Sequence, residues 1–174
     1  MKVYDGSSQT EQTQDAEPER VKVGIAEWEV TTDGAVLTTS GLGSCIGIAL
    51  YDTETGAAGL VHVMLPSADE MEDGNAAKFA DSGTELLVEE LKAVGANPSQ
   101  IEAKIAGGSD MLDFSDSGSG IGDRNVAKVR ETLEDFGIPI VGEDVGGDHG
   151  RSLRLESGTG DLVVKSANTE NTRL

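Results

Sequence analysis

The chain has 174 residues, which suits one domain with one hydrophobic core. Its 32 acidic and 13 basic residues give a formal net charge of −19, a field that repels nucleic acid and anionic membrane surfaces and argues against both as partners. The sequence has no apolar run long enough to span a bilayer, no secretory signal and a single cysteine, so we expect a location in a reducing cytoplasm.

The acidic residues are distributed along the whole chain rather than concentrated in one tail. This distribution is typical of proteins from a high-salt cytoplasm, where ionic screening relieves the repulsion between like charges. An acidic surface made for a basic partner is the alternative. We interpret the charge as halophilic, and on that interpretation it says little about mechanism.

Residues 1–20 are polar and contain almost no large apolar side chains, which predicts a disordered tail. We expect the folded domain over residues 21–165 and a frayed end over residues 166–174. Alternating apolar residues then predict four strands, with the last two paired as an antiparallel hairpin. They cover residues 21–30, 35–38, 45–51 and 57–65.

Apolar residues at helical spacing predict two helices in the second half of the chain, over residues 75–95 and 123–136. Gly95 and Gly137 mark their ends. Further strands are predicted over residues 101–106, 138–145, 152–155 and 161–164. The pattern predicts an α/β sandwich in which two helices cover a largely antiparallel sheet.

Cys45 is the only cysteine, and it follows a turn that contains Gly41 and Gly43. Free cysteines are usually small buried hydrophobes, but close backbone approach at glycines suits main-chain N–H groups that point at a substrate oxyanion. His62 falls late in the next strand, so the hairpin places its imidazole beside the thiol, whose proton it could accept. Whether both side chains face the same side depends on the register of the pairing.

Other motifs fit their candidate functions poorly. Gly41-Leu-Gly43 lacks the third glycine and the following helix of a dinucleotide site. The acidic loop at 113–118 lacks the spacing of a calcium-binding loop, and one cysteine with two distant histidines argues against zinc. Asp148 and His149 are interpreted as part of a turn rather than as a second dyad. No metal and no cofactor are expected.

Five spaced blocks carry a family resemblance: TSGLGSC at 39–45, GLVHVMLP at 59–66, AGGSDM at 106–111, IGDRN at 121–125 and DVGGDHGR at 144–151. In this order they resemble the CheD family of chemoreceptor glutamine deamidases. The resemblance implies a three-layer α/β/β sandwich, similar to the catalytic domain of the cytotoxic necrotizing factor toxins. It also implies a catalytic set with Cys45 as nucleophile, His62 as base and Thr39 as the third member. Without the resemblance, Thr39 would be interpreted as a turn residue.

The resemblance further implies a protein-glutamine glutaminase that converts glutamine side chains on the cytoplasmic domains of chemoreceptors to glutamate, in support of chemotaxis adaptation. It implies the CheC phosphatase as a partner in many organisms, and residues 113–125 are either a surface for it or an ordinary loop before a helix. Two other classes stay open: a cysteine protease or amidase, and a non-catalytic regulator of a phosphatase such as CheC. The reaction product distinguishes the deamidase from the protease or amidase and from the non-catalytic regulator.

Overall fold

The computed structural model describes residues 18–68, 74–110, 120–166 and 170–174, so most of the predicted disordered tail lies outside these ranges. Within them the chain forms ten strands and two α-helices. The strands are β1 (Arg20–Lys22), β2 (Trp28–Thr31), β3 (Val36–Leu42), β4 (Ile46–Asp52), β5 (Ala58–Val63), β6 (Ile101–Gly107), β7 (Ile140–Val145), β8 (Arg151–Glu156), β9 (Asp161–Ser166) and β10 (Thr172–Arg173). The helices are α1 (Ala80–Ala93) and α2 (Ile121–Asp135), and single 3₁₀ turns lie at Ala76–Lys78 and Pro98–Gln100.

The strands form two five-stranded sheets. The outer sheet has the order β1-β3-β8-β9-β10, and the central sheet has the order β2-β5-β4-β6-β7. All strand pairs are antiparallel except β1 with β3 and β6 with β7. The predicted α/β class, with two main helices and largely antiparallel sheets, is confirmed. No helix in the described ranges combines the length and the apolarity that a membrane crossing requires.

The central sheet is buried on both faces, because the helices cover one face and the outer sheet covers the other. On β4, the side chains that pack with the helices are those of Ile46, Ile48 and Leu50. The side chains of Ala49 and Tyr51 pack toward the outer sheet. This alternation explains why the strand has a continuous apolar sequence, and it defines two core layers, one on each side of the central sheet.

The hairpin formed by β4 and β5 has a fixed register. Gly47 lies opposite His62, and Ile46 lies opposite Val63. At the closed end, the buried carboxylate of Asp52 accepts hydrogen bonds from the backbone N–H groups of Glu54 and Thr55 at 2.7 and 3.2 Å. A one-residue slip would turn every side chain to the other layer, so this turn determines which residues face the outer sheet.

The predicted strand over residues 21–30 is two strands in different sheets. β1 belongs to the outer sheet and β2 to the central sheet, and the connection between them contains Ala26 with a φ of 63°. The Gly24 N–H donates to the Glu27 carboxylate at 2.9 Å and supports this turn. The large apolar residues stand at odd positions up to Ile25 and at even positions from Trp28, so the alternation changes phase at the connection, a signal that the prediction of a single strand overlooked.

The carboxyl end also differs from the prediction that it frays from residue 166. Thr172–Arg173 form β10, which pairs with β9. The Arg173 guanidinium donates to the carboxylates of Glu156 and Asp161 at 2.7 and 2.9 Å. Two backbone hydrogen bonds between Leu174 and Leu162 add to this attachment. The segment has few apolar residues, and its order depends on partners far away in sequence.

Candidate active site

His62 and Thr39 meet between the two sheets. His62 lies on β5 of the central sheet, Thr39 lies on β3 of the outer sheet, and both side chains are buried, His62 completely. The Thr39 hydroxyl oxygen is 2.8 Å from His62 Nδ1. The contact therefore joins the two sheets through a polar pair in an otherwise apolar layer.

The second hydrogen bond of Thr39 determines the tautomer of His62. The Thr39 hydroxyl lies 2.6 Å from the carbonyl oxygen of Val23 and donates its single proton there. It can then only accept from His62, so Nδ1 carries the ring proton and Nε2 carries the free lone pair. Among the described residues, Nε2 has no hydrogen-bond partner. The imidazole is therefore oriented as a base with its accepting nitrogen unoccupied.

Cys45 precedes β4 and lies on the same face of the hairpin as His62. Its half-buried side chain packs against the core layer between the two sheets. Gly47 lies opposite His62, and Cys45 lies two positions before Gly47, so its side chain points to the same face. Cys45 is therefore a diagonal neighbour of His62. In the described parts of the chain, no hydrogen bond joins the thiol to Nε2. The hairpin is as predicted, and its register settles the question of the common face that the sequence left open.

Burial keeps both groups of the dyad neutral. It lowers the pKa of His62 to about 4 and raises the pKa of the Cys45 thiol above its ordinary value. A thiolate–imidazolium pair is thus disfavoured at neutral pH. At neutral pH the site therefore holds a neutral thiol and a neutral imidazole.

This pKa shift predicts a pH-dependent stability. The unfolded chain binds a proton at His62 near pH 6.5, whereas the folded chain does so only near pH 4. The unfolded state therefore binds more protons between these values, so the free energy of unfolding should fall as the pH drops from 6.5 to 4, by on the order of 3 kcal/mol. Chemical denaturation across this range, compared with His62→Gln, measures it. Equal slopes for both proteins would contradict the shift.

Three neighbouring carbonyl groups anchor the turn that carries Cys45. Gly43 O accepts from Ser109 N at 2.9 Å, and Cys45 O accepts from Gly108 N at 2.8 Å. Ser44 O accepts from the Asn125 side chain at 2.8 Å. The N–H groups of Ser44 and Cys45 have no carbonyl partner among the described residues. Apart from a contact of the Cys45 N–H with its own sulfur, these two N–H groups lie next to the thiol without a protein acceptor, as the donors of an oxyanion hole would.

Two glycines permit the close packing behind this turn. Gly107 has a φ of 118°, and a Cβ atom there would overlap the carbonyl oxygen of Cys45. Gly122, in the first turn of α2, lies so close to the Gly108 and Ser109 carbonyls that a Cβ atom would overlap both. The turn is thus held by backbone contact from β6 and α2.

Arg151 supports the same region from the outer sheet. Its nearly buried guanidinium donates to the carbonyls of Gly107 and Gly146 at 3.3 and 2.9 Å. It also pairs with Asp144 at 3.1 Å. These contacts give a structural role to the sequence block at 144–151. The other histidine, His149, has a partly exposed side chain 3.9 Å from Asp148 and lies in the loop between β7 and β8.

Sequence reasoning missed the roles of Asn125, Gly107 and Gly122. They occur in blocks that carried the resemblance, but nothing in the local pattern assigns a function to them. The predicted partner surface at 113–125 is described only from residue 120 onward, and the acidic loop at 113–118 lies outside the described ranges. In the ranges that are described, no three His, Cys, Asp or Glu side chains are arranged to hold a metal ion.

Comparisons with known proteins show which family the chain resembles. Residues 64–166 match the family model described as CheD chemotactic sensory transduction. A probable chemoreceptor glutamine deamidase CheD from Haloarcula marismortui is 64% identical over 174 residues, which is 100% of both chains. A protein of the same description from Natronomonas pharaonis is 48% identical and covers 90% of this chain and 93% of its own. The first source is a haloarchaeon, which supports the halophilic interpretation of the charge.

One solved structure is also similar. The crystal structure of NMB0706, a Neisseria meningitidis protein of the DUF152 family, has a TM-score of 0.47 and 14% identity, covering 81% of this chain and 67% of its own. The segment that matches the family model begins at residue 64 and therefore after Thr39, Cys45 and His62. The geometry of these three residues therefore comes from the structure and not from the match to the family model.

Proposed function

The chain belongs to the CheD family, and on this basis we propose that Cys45, His62 and Thr39 carry its activity as a chemoreceptor glutamine deamidase. The reaction is that of a protein-glutamine glutaminase, and its substrates are glutamine side chains of chemoreceptors. We assign it to the domain over residues 21–165 and to the cytoplasm. The observation that carries the assignment of residues is the Thr39–His62 bond, which leaves Nε2 free on the face that Cys45 shares.

The first chemical step is attack on the carboxamide. Cys45 Sγ forms a bond to the side-chain carbonyl carbon, and the thiol proton passes to His62 Nε2. The carbonyl π electrons move to the oxygen, and the free N–H groups of Ser44 and Cys45 are the donors available to hold the resulting oxyanion. Because the thiol is neutral at rest, proton transfer accompanies attack rather than preceding it.

The remaining steps release ammonia and then glutamate. The imidazolium of His62 gives its proton to the amide nitrogen, the C–N bond breaks, and a thioester remains on Cys45. A water molecule then attacks the thioester carbon while Nε2 accepts its proton. The C–S bond breaks, the sulfur regains a proton from His62, and the product is a glutamate side chain.

Thr39 acts by orienting His62, and its substitution gives a prediction. In Thr39→Val, His62 Nδ1 loses its partner, and the ring is no longer held in the tautomer that leaves Nε2 as the acceptor. We expect kcat to fall by about tenfold to a hundredfold. Thr39→Ser keeps the hydroxyl and should retain most of the activity. Thr38→Val, at the neighbouring position of β3 on its opposite face, is the matched control. Equal activity of the Thr39→Val and Thr38→Val variants would contradict the role of Thr39.

The proposed function is tested directly on a receptor. The purified protein is incubated in concentrated potassium chloride with a chemoreceptor cytoplasmic fragment, and the peptides are then mapped by mass spectrometry. Conversion of specific glutamines to glutamates with ammonia release is the expected result. Cleaved peptide bonds would indicate a protease instead, and an unmodified receptor together with stimulated CheC phosphatase activity would indicate the non-catalytic alternative.

A further inference from the structure

Asn125 bridges the two chain segments that meet beside the nucleophile. It lies on α2, and its side chain has no exposed surface. Its amide nitrogen donates to the Ser44 carbonyl at 2.8 Å and to the Met64 carbonyl at 2.9 Å. Ser44 directly precedes Cys45, and Met64 follows Val63, the partner of Ile46 in the hairpin.

We propose that Asn125 is a positioning residue that aims the Cys45 N–H at the substrate oxyanion. This inference rests on the proposed function. The carbonyl of Ser44 and the N–H of Cys45 belong to one planar trans peptide unit, so they point in opposite directions. By holding the Ser44 carbonyl toward α2, Asn125 turns the Cys45 N–H away from the helix. The donor is thereby oriented before the substrate arrives, which is the condition under which an oxyanion hole is effective.

The other carbonyls of the turn do not depend on a side chain. Gly43 O and Cys45 O are bound by backbone N–H groups of Ser109 and Gly108, which any residue at those positions would supply. Of the carbonyls of Gly43, Ser44 and Cys45, only that of Ser44 is bound by a side chain among the described residues. Substitution of Asn125 therefore releases one peptide unit while the two neighbouring anchors stay in place.

The side chain of Asn125 is only partly satisfied. Its Oδ1 atom is buried and has no hydrogen-bond partner among the described residues. A leucine of similar size would avoid this unpaired oxygen, but it would leave the carbonyls of Ser44 and Met64 without their donor. The two donated hydrogen bonds are therefore what an amide provides at this position and a leucine does not.

The test separates donor orientation from placement of the thiol. Asn125→Leu and Asn125→Asp are compared with the wild type in three measurements: kcat and KM on the receptor fragment, and the rate of Cys45 alkylation by iodoacetamide. Alkylation needs the thiol and His62 but forms no oxyanion. We expect kcat to fall at least about tenfold while KM and the alkylation rate stay within about threefold.

Thr132→Ala is the matched control. Thr132 is also buried on α2, but its hydroxyl bonds the Lys128 carbonyl of the same helix at 2.7 Å and does not reach the turn. This variant should keep wild-type kcat even if its melting temperature drops.

Each outcome decides the proposal. If kcat is unchanged, or if kcat and the alkylation rate fall together, Asn125 does not act through the N–H donor. If Asn125→Leu does not fold, Asn125→Asp is judged by the same measurements. If neither variant folds, the role of Asn125 is structural and the proposal is overturned. A wild-type protein that converts no glutamine on the receptor fragment would instead contradict the proposed function itself.

Discussion

Replacement of Cys45 by alanine is expected to abolish glutamine conversion completely. Cys45 is the only thiol in the chain, so no other residue can form the thioester. Cys45→Ser is the more informative variant, because it keeps the shape of the side chain. Burial lowers the pKa of His62 to about 4, which makes the imidazole a weak base that is poorly suited to take a proton from a hydroxyl. We expect Cys45→Ser to lose at least about 10³-fold in kcat.

The measurement is the rate of glutamate formation on the receptor fragment, followed by mass spectrometry. Thermal melting of each variant confirms that the fold is retained. The half-buried side chain of Cys45 packs against the core, so truncation to alanine should cost only about 1 kcal/mol of stability. Wild-type conversion rates in either variant would show that the nucleophile has been assigned incorrectly.

Gly107→Ala is expected to impair both folding and activity. The residue has a φ of 118°, which is strained for alanine, and the new methyl group would overlap the Cys45 carbonyl oxygen. The overlapping atom belongs to the backbone of Cys45 and cannot move away as a flexible side chain could. We expect the free energy of unfolding to fall by about 3 kcal/mol or more, with loss of kcat as the turn shifts.

Two other glycines separate the causes of this effect. At Gly95, φ is 101° but the space around a Cβ atom is open, so Gly95→Ala should show only the backbone strain, about 1 kcal/mol. At Gly158 the space is open and φ is ordinary, so Gly158→Ala should be close to neutral. Chemical denaturation in concentrated salt measures all three variants. If Gly107→Ala were no worse than Gly95→Ala, the overlap would have no energetic effect.

The hairpin that carries Cys45 and His62 could be predicted because it depends on local rules, whereas the register that places both side chains on one face could not. Period-two alternation identifies the strands, a polar turn joins them, and antiparallel pairing brings their open ends together. Thr39 is different. It meets His62 across two sheets, and alternation within a strand does not indicate which residue of another sheet lies opposite. Its assignment came from the family resemblance.

Asn125 and Gly107 show why other parts of the candidate site could not be predicted from the sequence. Asn125 is a polar residue next to the apolar stripe of a helix, where exposure and complete burial have the same sequence pattern. The φ of Gly107 and its contact with Cys45 depend on how β6 lies against β4, which no local pattern specifies. The split of residues 21–30 into two strands is a different case, because the shift of apolar residues from odd to even positions after Ile25 is visible in the sequence and was overlooked.

The hydrogen bond between Thr39 and His62 bears on the order in which turnover and secondary structure are lost. Its two ends belong to different sheets, so a small separation of the layers breaks it while every strand keeps its own hydrogen bonds. Loss of turnover should then precede loss of secondary structure when the salt that screens the acidic surface is diluted. We therefore expect the deamidation rate to report a separation of the two sheets before circular dichroism detects any change in the strands and helices.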